Sequence, residues 1–278
     1  MKKQNFLILL LLVNTLVLAQ KKEKIKGSNI VTIEQREIGN FDSIEVSDNI
    51  EVYLHRGEKS ELKIEADDIL HSIISIDLLG NTLRLTTSKT AYRYKKLSVR
   101  VTYTKDLKMI TAKDDSKINA IQEIQLNDIT INALDNSEFN LNVNTTNFIL
   151  KSDDKSKAEL NLKSENATFQ ISKKATLKAL VSSLNLKCDL YEKSIATLEG
   201  DITNANIRLD NNSELTAKNL VIKNIDLLTE SYSKGSVNSN TNITIDASGN
   251  SEILLYGDPK IEIKRFVDSA SINKQPSK

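Results

Sequence analysis

Lys187, Asp189, Arg208, Asp226 and Asp246 are the residues of this chain whose types and spacing come nearest to chemistry. They recur at intervals close to 19 residues, so in a stacked fold they would gather on one outward strand face, with Asn206 beside them. Carboxylates and bases grouped on one face are what sugar cleavage uses, one group protonating the leaving oxygen and another acting as base or nucleophile. A carbohydrate-active enzyme, a polysaccharide hydrolase or lyase, is therefore the alternative reading. The plainer origin is that an exposed strand face must be polar, and Asp189 opposite Arg208 is then an ordinary cross-strand charge pair. No other residue set adds to the enzymatic case. Cys188 falls in an apolar column, which predicts a buried structural thiol. His55 and His71 lack the spacing of a metal motif, and Asp67-Asp68, Asp114-Asp115 and Asp153-Asp154 lack the glycine-rich calcium repeat and suit turns. The expectation is a non-enzyme with no catalytic residue, metal or cofactor.

The elements that position these residues follow from a repeat. Asp128, Asn147, Asn166, Asn185, Asn204, Asn224 and Asn242 are separated by 19, 19, 19, 19, 20 and 18 residues. Nine residues after each stands Ser137, Ser156, Ala175, Ser194, Ser213, Ser233 or Ser251. One residue after the Asn column every position is apolar (Ile129, Phe148, Ala167, Leu186, Ala205, Ile225, Ile243), and so is every position three after it, Cys188 included. A second pair of apolar columns follows the Ser column, with Gly235 as its exception. Alternation of this kind marks strands with one face inward. A period near 19 leaves room for two or three short strands per turn and no helix, which predicts a parallel β-helix. Stacking should bring equivalent Asn and Ser residues into hydrogen-bonded ladders at the corners.

Before the repeat, the N-terminus MKKQNFLILLLLVNTLVLAQ has two lysines, an apolar stretch and a small residue at Ala19, the pattern of a secretory signal peptide spanning 1–19. The apolar stretch is shorter than a bilayer requires and is interrupted at Asn14, so no transmembrane span is expected in the mature chain. Residues 20–40 read as a leader, 41–106 as a strand-rich section continuous with the helix, 107–257 as its coils, and 258–278 as a C-terminal segment and tail. Within 41–106, Ile69 to Leu79 suits a short helix or, in its second half, a strand. Losing Lys2 and Lys3 with the signal peptide takes 38 basic residues to 36 against 37 acidic ones, a net charge of −1. That balance excludes a nucleic-acid reader, which should be distinctly basic. The lone Cys rules out an internal disulfide, so stability rests on packing.

FDSIEVSDNIEVYL at 41–54, the GNTLRL turn at 80–85, polar corners such as ASGNSEI at 247–253 and the closing YGDPKIEIK at 256–264 resemble the auto-transporter adhesin, head GIN domain family of bacterial secreted proteins. The likeness covers nearly everything after the signal peptide. It implies a right-handed parallel β-helix and a non-catalytic, adhesin-like protein of the cell envelope. The chain departs from the family's Ser-Gly-Ser-Gly corner by placing Asp, Asn or Lys where Gly is common, most sharply at Lys173-Lys174. The functional expectation is an exported protein, in the periplasm, at the cell surface or outside the cell. It would present a polar ladder surface to a protein or glycan of the envelope or surroundings, with self-association possible through the helix ends.

Overall fold

The computed structural model describes residues 22–276, so the expected signal peptide at 1–19 lies outside the described residues. The chain is all-β and stacks parallel coils into a β-solenoid of about nine turns. Each regular coil is one long strand and one tight turn, as in Lys157–Ile171 followed by the corner 172–175. The two or three short strands expected per turn are thus joined. Pairing between coils continues across the Asn corner, where Ser164 stays opposite Ser183 and Asn166 opposite Asn185. The strand bends there without leaving the ladder.

The bend shifts the inward phase, so that Ala158, Leu160 and Leu162 line one inner wall and Ala167, Phe169 and Ile171 the other. In-register stacking turns each inward position into an apolar column, such as Leu150, Phe169, Cys188 and Ile207. Phe148 and Phe169 meet edge to face, ring centroids 6.2 Å apart, the arrangement their quadrupoles favour.

At the other corner, a four-residue turn closes with the backbone N–H of its last residue on the carbonyl of its first, as in Ser137 to Leu134 (3.0 Å) and Ala175 to Ser172 (3.0 Å). The second turn residue has positive φ from Asp48 through Asp114, Asp135 and Asp154 to Asp268. At three successive corners the third residue does too: Lys173-Lys174, Glu192-Lys193 and Asn211-Asn212. One left-handed residue gives the φ pattern of a type II′ turn and two that of type I′. The two differ by the direction of the central peptide, and the bonds between coils record it. Lys155 N–H donates to the preceding coil's Asp135 carbonyl, whereas Lys174 N–H donates forward to Glu192 and Lys193 N–H to Asn211. The departure from glycine at Lys173-Lys174 is thus accommodated by an inverted peptide whose N–H bonds the next coil.

The N-terminal section departs from sequence order. Ser43–Val46 and Glu51–Arg56 form a coil that lies between Met109–Ala112 with Lys117–Ala120 on one side and Thr82–Thr87 with Leu97–Tyr103 on the other, all parallel. Beyond it the pattern turns antiparallel: Ile74–Leu79 pairs with Thr82–Thr87 through the Gly80-Asn81 turn, and Glu61–Asp67 with Leu97–Tyr103. Val31–Arg36 adds to Glu61–Asp67, so part of the leader is a strand. A 3-10 helix, Asp68–Ile73, precedes the strand Ile74–Leu79, dividing that apolar stretch between the two alternatives its sequence offered.

Asp67 fastens this end. Its carboxylate is fully buried and accepts backbone N–H groups from Asn29 (2.7 Å), Lys95 (3.1 Å) and Lys96 (3.0 Å). Burial pushes its pKa up, but those amides and the Lys95 charge outweigh it and hold the carboxyl below the usual range. At the opposite end the stack does not stop at Gly257. Lys260–Phe266 pairs with Asn242–Ala247 and Ser271–Lys274 with Glu252–Leu255, so most of the expected tail is a further coil.

Candidate functional site

Strand pairing brings the outward candidates together. Asp189 is opposite Arg208, and Asn206 is opposite both Lys187 and Asp226. Asp246 lies one coil further, opposite Leu228. They line one shallow trough of about 370 Å³ that Tyr191, Thr244 and Lys264 complete.

The charges within it are arranged differently from the expected pair. Lys187 Nζ reaches Asp189 at 3.4 Å, and Asp189 is buried beneath its neighbours. Arg208 turns instead to Glu230 (3.2 Å) and Asp210 (3.8 Å), with its guanidinium over the Tyr191 ring at 5.4 Å. Glu230 also meets Arg265 at 3.4 Å, and Arg265 binds Asp246. The result is a network, Asp210–Arg208–Glu230–Arg265–Asp246, running over four coils. Register made Asp189 and Arg208 neighbours, but the long guanidinium reaches towards the corner, where two carboxylates converge. Glu230, the junction of the network, lay outside the candidate columns because it is the first residue of its corner, six after Asn224, whereas the candidates stand two and four after the Asn column.

The Asn column forms a one-way ladder. Each Nδ2 donates to the Oδ1 of the preceding coil, from Asn147 on Asp128 (2.7 Å) through Asn166 (2.9 Å), Asn185 (3.0 Å), Asn204 (3.2 Å) and Asn224 (3.0 Å) to Asn242 (2.9 Å). The Ser column behaves otherwise. Ser137, Ser156, Ser194, Ser213, Ser233 and Ser251 are buried. Instead of a ladder between coils, Ser156 and Ser233 hydroxyls donate to the first carbonyl of their own turn at 2.7 Å, while Ser213 accepts from Asp210 N–H at 3.1 Å. Ser251 accepts from Thr229 at 3.2 Å, and the Ser137 and Ser194 hydroxyls have no partner among the described residues. A second hydroxyl set was missed. The Thr145 and Ser183 hydroxyls, two before the Asn column, donate to a carbonyl of the preceding coil (Asn127, Glu165) and to the Asn-column carbonyl of their own coil (Asn147, Asn185).

Cys188 is fully buried, and desolvation together with the Asp189 charge pushes its thiol pKa up, away from the reactive thiolate. His71 belongs to the N-terminal cap: its Nδ1 is 3.2 Å from Glu34 and its Nε2 is 2.9 Å from the Thr32 hydroxyl. Among the described residues no group of three or more His, Cys, Asp or Glu is placed to hold a metal, and no helix is long and apolar enough to cross a membrane.

Fold and surface together define a parallel β-solenoid with polar outer faces cross-linked from coil to coil. The chain belongs to the family described as "Putative auto-transporter adhesin, head GIN domain", whose model matches residues 40–180 and 157–259. Among solved structures it is similar to a putative adhesin from Parabacteroides merdae (17% identity, 91% of this chain and 100% of that one, TM-score 0.68). A putative adhesin from Parabacteroides distasonis is similar too (14% identity, the same coverage, TM-score 0.68). So is a putative lipid binding protein from the same species (19% identity, the same coverage, TM-score 0.60). These likenesses show a shared fold. Comparison with curated proteins finds no match.

Proposed function

We propose that this is a non-catalytic, exported, adhesin-like protein that binds a protein or glycan of the cell envelope or its surroundings through its polar solenoid faces. Family membership supports the adhesin-like class. The observation that carries the non-catalytic part is the state of the outward carboxylates. Asp189 is paired with Lys187 and Asp246 with Arg265, which leaves Asp226 as the single unengaged carboxylate of the three among the described residues. Sugar cleavage needs two carboxyl groups at a fixed separation across a bond, one of them holding a proton. A recognition surface needs side chains fixed in place, which the ion network and the Asn ladder supply.

Protease shaving of intact cells expressing a tagged chain tests the location. Degradation without breaking the outer barrier places the solenoid outside and directs the partner search to surface glycans and proteins. Protection with release into the periplasmic fraction directs it to the envelope, and retention in the cytoplasm overturns the proposal. Substituting Asp189, Asp226 and Asp246 together with Ala tests the chemistry. A glycan-cleaving activity of the wild type that disappears in the triple variant would establish the enzyme instead.

A further inference from the structure

The last coil is paired on one side only. Lys260–Phe266 rests on Asn242–Ala247 and Ser271–Lys274 on Glu252–Leu255, and among the described residues nothing pairs with their other edges. Ile261 and Ile263 continue the inward columns of Ile243 and Ile245, which are buried, yet they are 45% and 53% exposed. An unpaired strand edge beside an uncovered aliphatic strip is a template for another strand.

We propose that this end face binds a second copy of the chain, end to end, about a two-fold axis passing through Ile263. The argument rests on charge. The strand reads Lys260-Ile261-Glu262-Ile263-Lys264-Arg265-Phe266. Antiparallel self-pairing centred on Ile263 sets Ile263 against its twin, and Glu262 against the second copy's Lys264 twice over. Opposite charges directly across an antiparallel pair attract, and like charges repel. Centring one residue earlier would put Glu262 on Glu262 and Lys260 on Lys264. Parallel stacking in register would put every Lys on its like. Opposite Ile245 and Asp246 this strand carries Lys264 as an extra, unpaired residue, which sets Arg265 against Asp246, where it also meets Glu230 of its own chain. Glu262 and Lys264 have no ion-pair partner among the described residues.

At the other end the core column of Leu62, Ile64 and Ala66 is buried beneath the antiparallel layer and the 3-10 helix, and the outermost strands, Val31–Arg36 and Ile74–Leu79, are each paired on one side only, with Ile33 and Leu79 exposed. Because the proposed contact uses Lys260–Phe266 on both copies, it is isologous and closes at two copies.

Sedimentation velocity on the chain from Gln20, over a concentration series, is the test. The wild type is expected to dimerise reversibly. Glu262→Lys alone or Lys264→Glu alone should weaken the dimer by roughly tenfold, since each converts two attractions into two repulsions. Combining both substitutions in one chain should restore it, and mixing the two single variants should give a heterodimer. Both side chains are exposed, and circular dichroism of each variant confirms folding. Ile263→Cys should cross-link under oxidation, because directly opposed antiparallel Cα atoms lie about 4.5–5.5 Å apart, within disulfide reach. Lys260→Cys should not. A wild type that stays monomeric at every concentration overturns the proposal. So does a double variant as weak as the singles, or a dimer that Ile263→Cys fails to cross-link.

Discussion

The two ends of the solenoid solve one problem in opposite ways. At the N-terminal end, strand direction switches from parallel to antiparallel, and the 3-10 helix lays buried Leu70 and Ile73 over the core. Arg36 holds that layer by donating to the carbonyls of His71 (3.0 Å) and Ile74 (3.2 Å). At the C-terminal end, Lys260–Phe266 simply continues the stack and leaves its last aliphatic residues uncovered. The same alternating sequence thus ends in a covered core column or an uncovered one. What decides is whether the chain returns across the column, and only the N-terminal section does so.

The comparison is broken most severely by truncating matched residues at the two ends. Ile64→Ala, in the buried layer, should cost about 3 kcal/mol, whereas Ile263→Ala should cost the monomer under about 1 kcal/mol, because half of its surface is already in water. Urea denaturation of both variants in the monomeric state checks this.

Asp67→Asn comes next, at roughly 2–3 kcal/mol, since charge-assisted bonds to three backbone amides are weakened in a buried site. The folded pKa of Asp67 lies below its unfolded value. Its contribution is therefore complete above the unfolded carboxylate range and is lost as pH falls through the folded value. The deficit of Asp67→Asn should shrink as the pH is lowered through that window. A deficit independent of pH would show that the charge contributes nothing.

Between the ends, Asn185→Ala removes two rungs of the ladder at an exposed corner, and melting should show a loss of about 1 kcal/mol. The smallest effect is chemical. Buried Cys188 should resist thiol reagents until the chain unfolds, and modification under native conditions would contradict its packing.

Much of the central solenoid was legible because stacking demands repetition. The columns from Ile129 to Ile243 state the period and the inward faces directly. The coil order near the N-terminus was not legible, since local alternation says that residues 43–56 are strands but not that they insert between 82–103 and 109–120. The last coil was missed for a different reason. Lys260 replaces Asn and Ala270 replaces Ser, which breaks the polar columns, while Ile261 and Ile263 keep the apolar ones. Apolar phase was the truer guide because it reports core packing, whereas corner residues vary with turn type. On the candidate surface, the sequence placed Lys187, Asp189, Arg208, Asp226 and Asp246 on one face, but not the rotamer that carries Arg208 to Glu230.

The most direct measurement of the difference between the ends is amide hydrogen exchange at high and low protein concentration. Amides of Glu61–Asp67 should be protected equally at both, because their partners lie within the chain. Amides of Lys260–Phe266 should gain protection at high concentration and lose it on dilution, as the open edge pairs with a second copy and is released. Equal protection of Lys260–Phe266 at both concentrations would contradict the account.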